Sequence, residues 1–255
     1  MEANAIIEAV NLTKHYSRQT AVNGLNFTVN EGEVFGFLGP NGAGKSTTIK
    51  IIGGILAPTE GTVRIAGIDM ARDPVAAKQR IGFIPDRPYL YEKLTGMEFL
   101  QFTADVYGVT HAVFQEKAFT LLEMFALADW GEELIESYSH GMKQRLIMCA
   151  ALLHDPEVLV VDEPMVGLDP VAIRMVKNLF RDLARKGVAV FMSTHTLAVA
   201  EDICDRIGII HRGRLIAEGT LDDLRKDIKG GASDLESVFI NLTQAPDNPG
   251  EALAS

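Results

Sequence analysis

Cysteine is scarce in this 255-residue chain, which holds only Cys149 and Cys204. Two isolated thiols give no disulfide framework and lack the paired spacing of a metal site. Cys149 lies in an apolar helical run, so a buried, reduced thiol is expected. Long hydrophobic runs are also missing. No stretch approaches 18 consecutive apolar residues, so no bilayer span is expected. The opening Met1-Glu2-Ala3-Asn4 lacks the basic and apolar regions of a secretion signal. Positive charge is in deficit: 24 Lys and Arg stand against 34 Asp and Glu, a formal net charge of -10. That balance argues against a nucleic-acid surface, where a basic footprint is expected, although it allows a local basic patch. Internal repeats and long heptad runs are absent. Together these absences point to a soluble, cytoplasmic chain that needs a partner for any role at a membrane. Its length allows one large α/β domain or a core with a smaller subdomain.

The run Gly39-Pro40-Asn41-Gly42-Ala43-Gly44-Lys45-Ser46-Thr47 fits the phosphate-binding pattern G-x-x-x-x-G-K-[ST] without mismatch. The apolar Val34-Phe35-Gly36-Phe37-Leu38 before it reads as a buried strand. A helical pattern with Ile49, Ile52 and Leu56 on one face follows it. Strand, Gly-rich loop and helix N-terminus together make an anion trap of backbone N–H groups and helix dipole. Glycines are expected to let the backbone approach phosphate oxygens. Lys45 is expected to reach the β- and γ-phosphates and the Ser46 hydroxyl to bind Mg²⁺. A chance Gly-rich turn would not carry these flanks.

Residues 6–29 read as short, antiparallel strands with turn residues at Asn23-Gly24. Strands are expected at Thr62-Val63-Arg64-Ile65, Ile81-Gly82-Phe83-Ile84 and Val158-Leu159-Val160-Val161, and further strands over 188–192 and 207–210. Residues 95–153 look helical throughout, and another helix is expected over 171–186. The tail after Gln244 (Ala-Pro-Asp-Asn-Pro-Gly) is expected to lack fixed structure. The alternation of strands and helices predicts a mostly parallel sheet covered by helices.

Open parallel sheets bind ligands outside the carboxyl ends of their strands. Four polar elements follow apolar strands: the phosphate loop after Leu38, Pro85-Asp86 after Ile84, Asp162-Glu163 after Val161, and Ser193-Thr194-His195 after Met192. Parallel neighbours would bring all four to one crevice. Asp162 would hold Mg²⁺ beside Ser46. Glu163 would act as general base on the attacking water. The alternative is a solvated acidic pair. His195 would donate to a γ-phosphate, against the ordinary reading of a structural histidine. Tyr16 offers a ring for stacking on adenine, or is a plain half-exposed tyrosine. Ser139 is a good N-cap for the apolar run through Leu146, Cys149 and Leu153. Lys143 and Arg145 would lie near its first turn, where positive charge opposes the helix dipole unless an anion binds there; otherwise they form an exposed basic face.

These residues together resemble the nucleotide-binding subunit of ATP-binding cassette (ABC) transporters, over residues 6–243. Gly39 to Thr47 resembles Walker A, and 158–163 resembles Walker B with Glu163 as its catalytic glutamate. Tyr16 matches the adenine-stacking aromatic, Gly167-Leu168-Asp169 the D-loop and His195 the switch histidine. Tyr138-Ser139-His140-Gly141-Met142 stands where the family has its LSGGQ signature. The resemblance implies an α/β fold. It has a P-loop NTPase core with a mostly parallel sheet, an N-terminal antiparallel β subdomain and a helical subdomain at about residues 87–155. It implies a single domain over residues 1–243, followed by the tail at 244–255. It implies ATP and Mg²⁺ as cofactors, with Ser46, Asp86 and Asp162 toward the metal. It also implies head-to-tail pairing with a second ABC subunit, identical or different. Ser139 and Gly141 would then contact the γ-phosphate of ATP held by the partner, and closure would drive a polytopic membrane subunit.

Two positions depart from the family pattern. Asp86 stands where Gln is usual; it is one methylene shorter and, ionised, only accepts. His140 and Met142 replace Gly and Gln in the signature while Ser139 and Gly141 remain, which predicts weakened or tuned activity rather than its loss. Residues 81–95 and 234–243 are similar to the exporter branch with separate membrane subunits, and residues 87–100 are expected to face that subunit. The resulting expectation is an ATPase subunit powering export of an unknown substrate, peripheral at the inner face of the cell membrane, with no nucleic-acid partner. The rivals are a soluble ABC ATPase acting in macromolecular assembly or on nucleic acid, and a binding-only regulatory cassette.

Overall fold

The computed structural model describes residues 4–17, 19–226 and 239–240. The expected tail at 244–255 lies outside the described residues, as does all of 234–243 except 239–240.

The chain opens with β1 (Ala5–Tyr16) and β2 (Gln19–Asn30), two twelve-residue strands paired antiparallel. The chain reverses between Tyr16 and Gln19, not at Asn23-Gly24 as the turn chemistry suggested. Gly24, at φ 62, instead takes up a register shift inside the ladder. The apolar series Val22, Leu25, Phe27, Val29 continues through it into the core. The Asn23 N–H donates outward to the Gly213 carbonyl at 2.8 Å, which ties this bulge to the opposite sheet.

Next come β3 (Val34–Leu38), α1 (Lys45–Ile52), β4 (Glu60–Ile65), β5 (Ile68–Asp69), α2 (Pro74–Gln79) and β6 (Ile81–Ile84). Leu56 is not on α1, which stops at Gly53; it packs against the core from the following loop. The helical stretch holds α3 (Gly96–Tyr107), α4 (His111–Met124) and α5 (His140–Leu152). Between β6 and the next strand, only an isolated Thr95–Leu134 bridge is extended pairing among the described residues. Thr95 and Glu98 form a reciprocal capping box that starts α3. The chain continues through β7 (Val158–Asp162), α6 (Pro170–Arg185), β8 (Ala189–Thr194), α7 (Leu197–Ile203), β9 (Arg206–His211), β10 (Arg214–Gly219) and α8 (Leu221–Lys226). The short β5, α2, β10 and α8 carry too little periodicity to stand out in the sequence.

Among the described residues the strands form two sheets. One is antiparallel, in the order β2-β1-β4-β5. The other runs β10-β9-β3-β8-β7-β6, parallel except for β10. Strands β3, β7 and β8 are buried along their whole length, because both faces of this sheet are covered. Alternate residues serve opposite cores. Phe35, Phe37, Val158, Val160 and Phe191 face the antiparallel sheet and α1. Leu38, Leu159, Val161, Val190 and Met192 face the helices. Phe27 reaches across from β2 and stacks with Phe35 and Phe191, with centroids 5.9 and 5.6 Å away. Fully burying such a ring is worth about 1.5–3 kcal/mol, so this cluster clamps the two sheets together. The clamp fixes β3, and β3 delivers the phosphate loop.

Candidate functional site

The chain leaves β3 at Leu38 and enters α1 at Lys45. Gly44 caps α1 at φ 111, and no side chain caps the first turn, so its N–H groups stay open to a ligand. The glycines serve two different ends. A Cβ on Gly44 would sit 2.5 Å from the Ala21 carbonyl, and one on Gly39 would sit 2.4 Å from that of Ile210. Both are therefore demanded by packing within the chain. Gly42 faces open space, and its φ of 78, in the left-handed region, is what favours glycine there. Ala43 is buried on the loop's inner side, its carbonyl accepting from Gly213 N–H at 2.8 Å.

Lys45 is 7% exposed. Its Nζ donates to the carbonyls of Gly39 at 2.8 Å and Pro40 at 3.2 Å, and lies 3.9 Å from Glu163 Oε1. Burial lowers its pKa, and the Glu163 and Asp162 carboxylates pull it back up.

Asp162 ends β7 beneath the loop, 3% exposed. Burial raises its pKa; hydrogen bonds from Ser193 and Ser46 oppose this, while Asp86 and Glu163 add to it. Glu163 leaves the strand at φ 51, a left-handed conformation uncommon outside glycine. The turn aims its carboxylate at His195, whose Nδ1 lies 2.8 Å from Glu163 Oε1.

A cleft of about 470 Å³ joins Lys45, Glu163 and His195, with Asp162 behind Ser46 and not in its lining. Tyr16, Asn41, Gly42, Gly44, Lys45, Ser46 and Thr47 line it together with Asp86, Glu163 and His195. The strand-end elements thus share one crevice, because β3, β8, β7 and β6 are parallel neighbours. Gln19 and Ala21 also line the cleft; nothing in their local sequence marks them. Tyr16 is 45% exposed, and Lys14 Nζ sits 5.6 Å from its ring centroid. A larger, more apolar groove of about 910 Å³ runs between α4 and α6 around Leu121, Met124, Met175 and Leu179. It contains none of the phosphate-loop residues, so the chemistry belongs to the smaller cleft.

Ser139 and Gly141 are not part of this cleft. They sit at the start of α5, where Ser139 Oγ accepts from Met142 N–H at 3.3 Å. The His140 ring rests on Gly167: a Cβ there would lie 2.8 Å from His140 Cδ2. Asp169 caps α6, accepting from Val171 and Ala172 N–H. Lys143 and Arg145 do not form a free basic face. Lys143 pairs with Glu92 at 2.5 Å, and Arg145 donates to the Phe125 carbonyl at 2.9 Å.

Among the described residues no group of three or more His, Cys, Asp or Glu could hold a metal ion by itself. Ser46, Asp86 and Asp162 offer oxygen donors only, a set that suits a hard cation completing its shell with phosphates. Both cysteines are free and buried, and burial raises their thiol pKa values, so neither is a reactive thiolate.

The family model described as ABC transporter matches residues 22–166, more than half of the chain. The chain belongs to the ABC transporter family. It is an ATP-binding, ATP-hydrolysing subunit. "Linearmycin resistance ATP-binding protein LnrL" from Bacillus subtilis (strain 168) is 40% identical over 240 residues, covering 94% of this chain and 77% of that protein. A solved structure described as the ATP binding subunit of an ABC transporter is 36% identical, with a TM-score of 0.88 over 93% of this chain and 99% of its own. The ATP-binding cassette MJ0796, solved as a dimer in a post-hydrolysis state bound to ADP and Pi, is 27% identical, with a TM-score of 0.75 over 84% of this chain and 98% of its own. No described helix of this ABC subunit is long and apolar enough to cross a membrane.

Proposed function

We propose that this ABC subunit hydrolyses MgATP at a seam shared with a second cassette, identical or related, and so powers export through a separate polytopic membrane subunit. One observation carries the reading. Lys45, Glu163 and His195 converge on the phosphate loop, while the exposed Ser139 and the half-buried Gly141 lie outside that cleft. Each chain thus holds one complete half-site and presents the other half outward.

ATP would bind with its adenine on Tyr16 and its phosphates against the open amides of the loop. Lys45 would exchange the carbonyls of Gly39 and Pro40 for β- and γ-phosphate oxygens. Ser46 and Asp162, with Asp86 through water, would hold Mg²⁺, which screens phosphate charge when bound. Glu163 takes the proton of the attacking water. A neutral His195 that gives its Nδ1–H to Glu163 keeps only an acceptor at Nε2. Donation to a γ-phosphate therefore requires a protonated ring or release from Glu163.

Residues 1–243 would act as one domain, with 87–155 as its helical subdomain. Tyr89 and Tyr91 are 80% and 61% exposed beside the Asp86 turn, and Tyr91 packs edge-on to Phe102. Exposed aromatics next to a catalytic element suit a docking surface for the membrane subunit, at the inner face of the membrane. The relative named for linearmycin resistance supports an efflux role; the cargo is unspecified.

The Glu163→Gln variant tests this reading. It should bind ATP, slow hydrolysis by about 10²–10⁴-fold and elute as a dimer with ATP in size-exclusion chromatography. Unchanged turnover would remove Glu163 from its role. A monomer that retains ATP would overturn the shared seam.

A further inference from the structure

Ser193 touches both carboxylate-bearing residues at the end of β7 and has no accessible surface of its own. It stands opposite Asp162 in the parallel ladder between β7 and β8. Its Oγ donates to Asp162 Oδ1 at 2.5 Å and accepts from the Glu163 N–H at 3.2 Å. A hydroxyl carries one proton, and a backbone amide can only donate. The direction of the chain is therefore fixed, from Glu163 N–H through Ser193 to Asp162.

Each end of that chain solves a problem of the strand end. Glu163 turns to φ 51, so its N–H leaves the direction of the β ladder, and the hydroxyl gives it a partner. The same turn sends the Glu163 side chain toward Lys45 and His195. At the other end, Asp162 Oδ1 is engaged from below, and the Ser46 hydroxyl reaches the same carboxylate from the phosphate loop. A side chain held from two sides has little freedom to rotate.

We propose that Ser193 is a positioning residue that aims both carboxylates, holding the turn that presents Glu163 to water and locking the face that Asp162 turns to the nucleotide-bound cation. It does not touch substrate. The inference rests on the roles given above to Asp162 and Glu163. A purely space-filling serine would have neither hydrogen bond to lose.

Ser193→Ala and Ser193→Thr in the full chain test it. Three readouts apply: calorimetric binding of ADP in EDTA and in Mg²⁺, steady-state hydrolysis of ATP, and hydrogen exchange at the Glu163 amide. In Ser193→Ala, ADP affinity in EDTA should stay within about twofold of wild type, while the gain on adding Mg²⁺ shrinks by about 10–100-fold. The kcat should fall with KM little changed, and the Glu163 amide should exchange faster. Ser193→Thr, which keeps the hydroxyl, should restore most of each. A folded Ser193→Ala with wild-type Mg²⁺ gain, kcat and amide exchange overturns the proposal. Should the alanine variant fail to fold, Ser193→Cys fills the site with a slightly larger side chain and a weaker donor and is read by the same criteria. If wild type itself binds ADP without any response to Mg²⁺, the cation reading of Asp162 fails, and amide exchange alone decides whether Ser193 holds Glu163.

Discussion

His195 Nδ1 and Lys45 Nζ both face one oxygen, Oε1 of Glu163, from 2.8 and 3.9 Å. The two contacts hold the carboxylate proposed as general base. Its charge is shared between an imidazole on β8's end and an ammonium on α1. A γ-phosphate entering the loop would compete with Glu163 for Lys45. The cost of separating them is offset by a second charge-assisted contact of the same kind.

Gly44→Ala should abolish tight nucleotide binding. The new Cβ would meet the Ala21 carbonyl at 2.5 Å at a φ of 111 that side chains rarely adopt. Backbone strain of this kind costs about 1–3 kcal/mol. A lowered thermal midpoint together with at least about tenfold weaker ATP binding in calorimetry is expected. Wild-type affinity would show that the loop adapts freely.

Gly167→Ala should slow hydrolysis through His140. The added methyl would press on the imidazole at 2.8 Å, and the strain reaches the start of α5 beside Ser139 and Gly141. Removing the ring with His140→Ala should relieve part of the loss. A double-mutant cycle on phosphate release should give a coupling of about 0.5–3 kcal/mol. Strict additivity would mean that the two residues act apart.

Acid should weaken the fold through His154. Its ring stacks on Tyr107 with centroids 3.7 Å apart, and Nε2 lies 3.1 Å from the Ile81 carbonyl. Burial lowers the imidazole pKa below its ordinary value, and the Ile81 carbonyl only partly opposes this. Between the folded and unfolded pKa values the unfolded chain holds more protons, so stability rises with pH. The contribution is complete above the ordinary histidine range and is lost as pH falls through the folded value. Urea midpoints at about pH 7.5 and about pH 5 should show a loss in wild type that shrinks in His154→Phe. Equal losses in both would assign the acid effect elsewhere.

Asp86→Gln should change coupling more than affinity. Asp86 lines the cleft and adds negative charge near Asp162, and its place after β6 leads straight into the exposed Tyr89 and Tyr91. ATP binding should stay near wild type, while stimulation of hydrolysis by the membrane subunit shifts. Lost affinity with intact stimulation would reverse that assignment.

Local chemistry determined much of this molecule. Strands β3, β7 and β8 are short apolar runs, each followed by or closing on polar residues at its carboxyl end. The phosphate loop and the Ser139 cap likewise follow from neighbours in sequence. The roles of Asp162, Glu163 and His195 were assigned from their strand-end positions and a family pattern. The reversal between β1 and β2 was misplaced, because Asn23-Gly24 has the residues of a turn but serves a bulge tied to Gly213.

Tertiary structure alone decided the contacts that cross large sequence gaps. Ser193 meets Asp162 because two strands 31 residues apart pair in one register. Lys143 meets Glu92 across 51 residues, which turns an expected dipole penalty into a paired charge. His140 rests on Gly167 only because α5 and the loop before α6 arrive at the same place. A sequence records which groups a strand end carries. The parallel register and the packing of helices on the sheet choose which of those groups share a hydrogen bond, since that depends on ångström distances between segments that are remote along the chain.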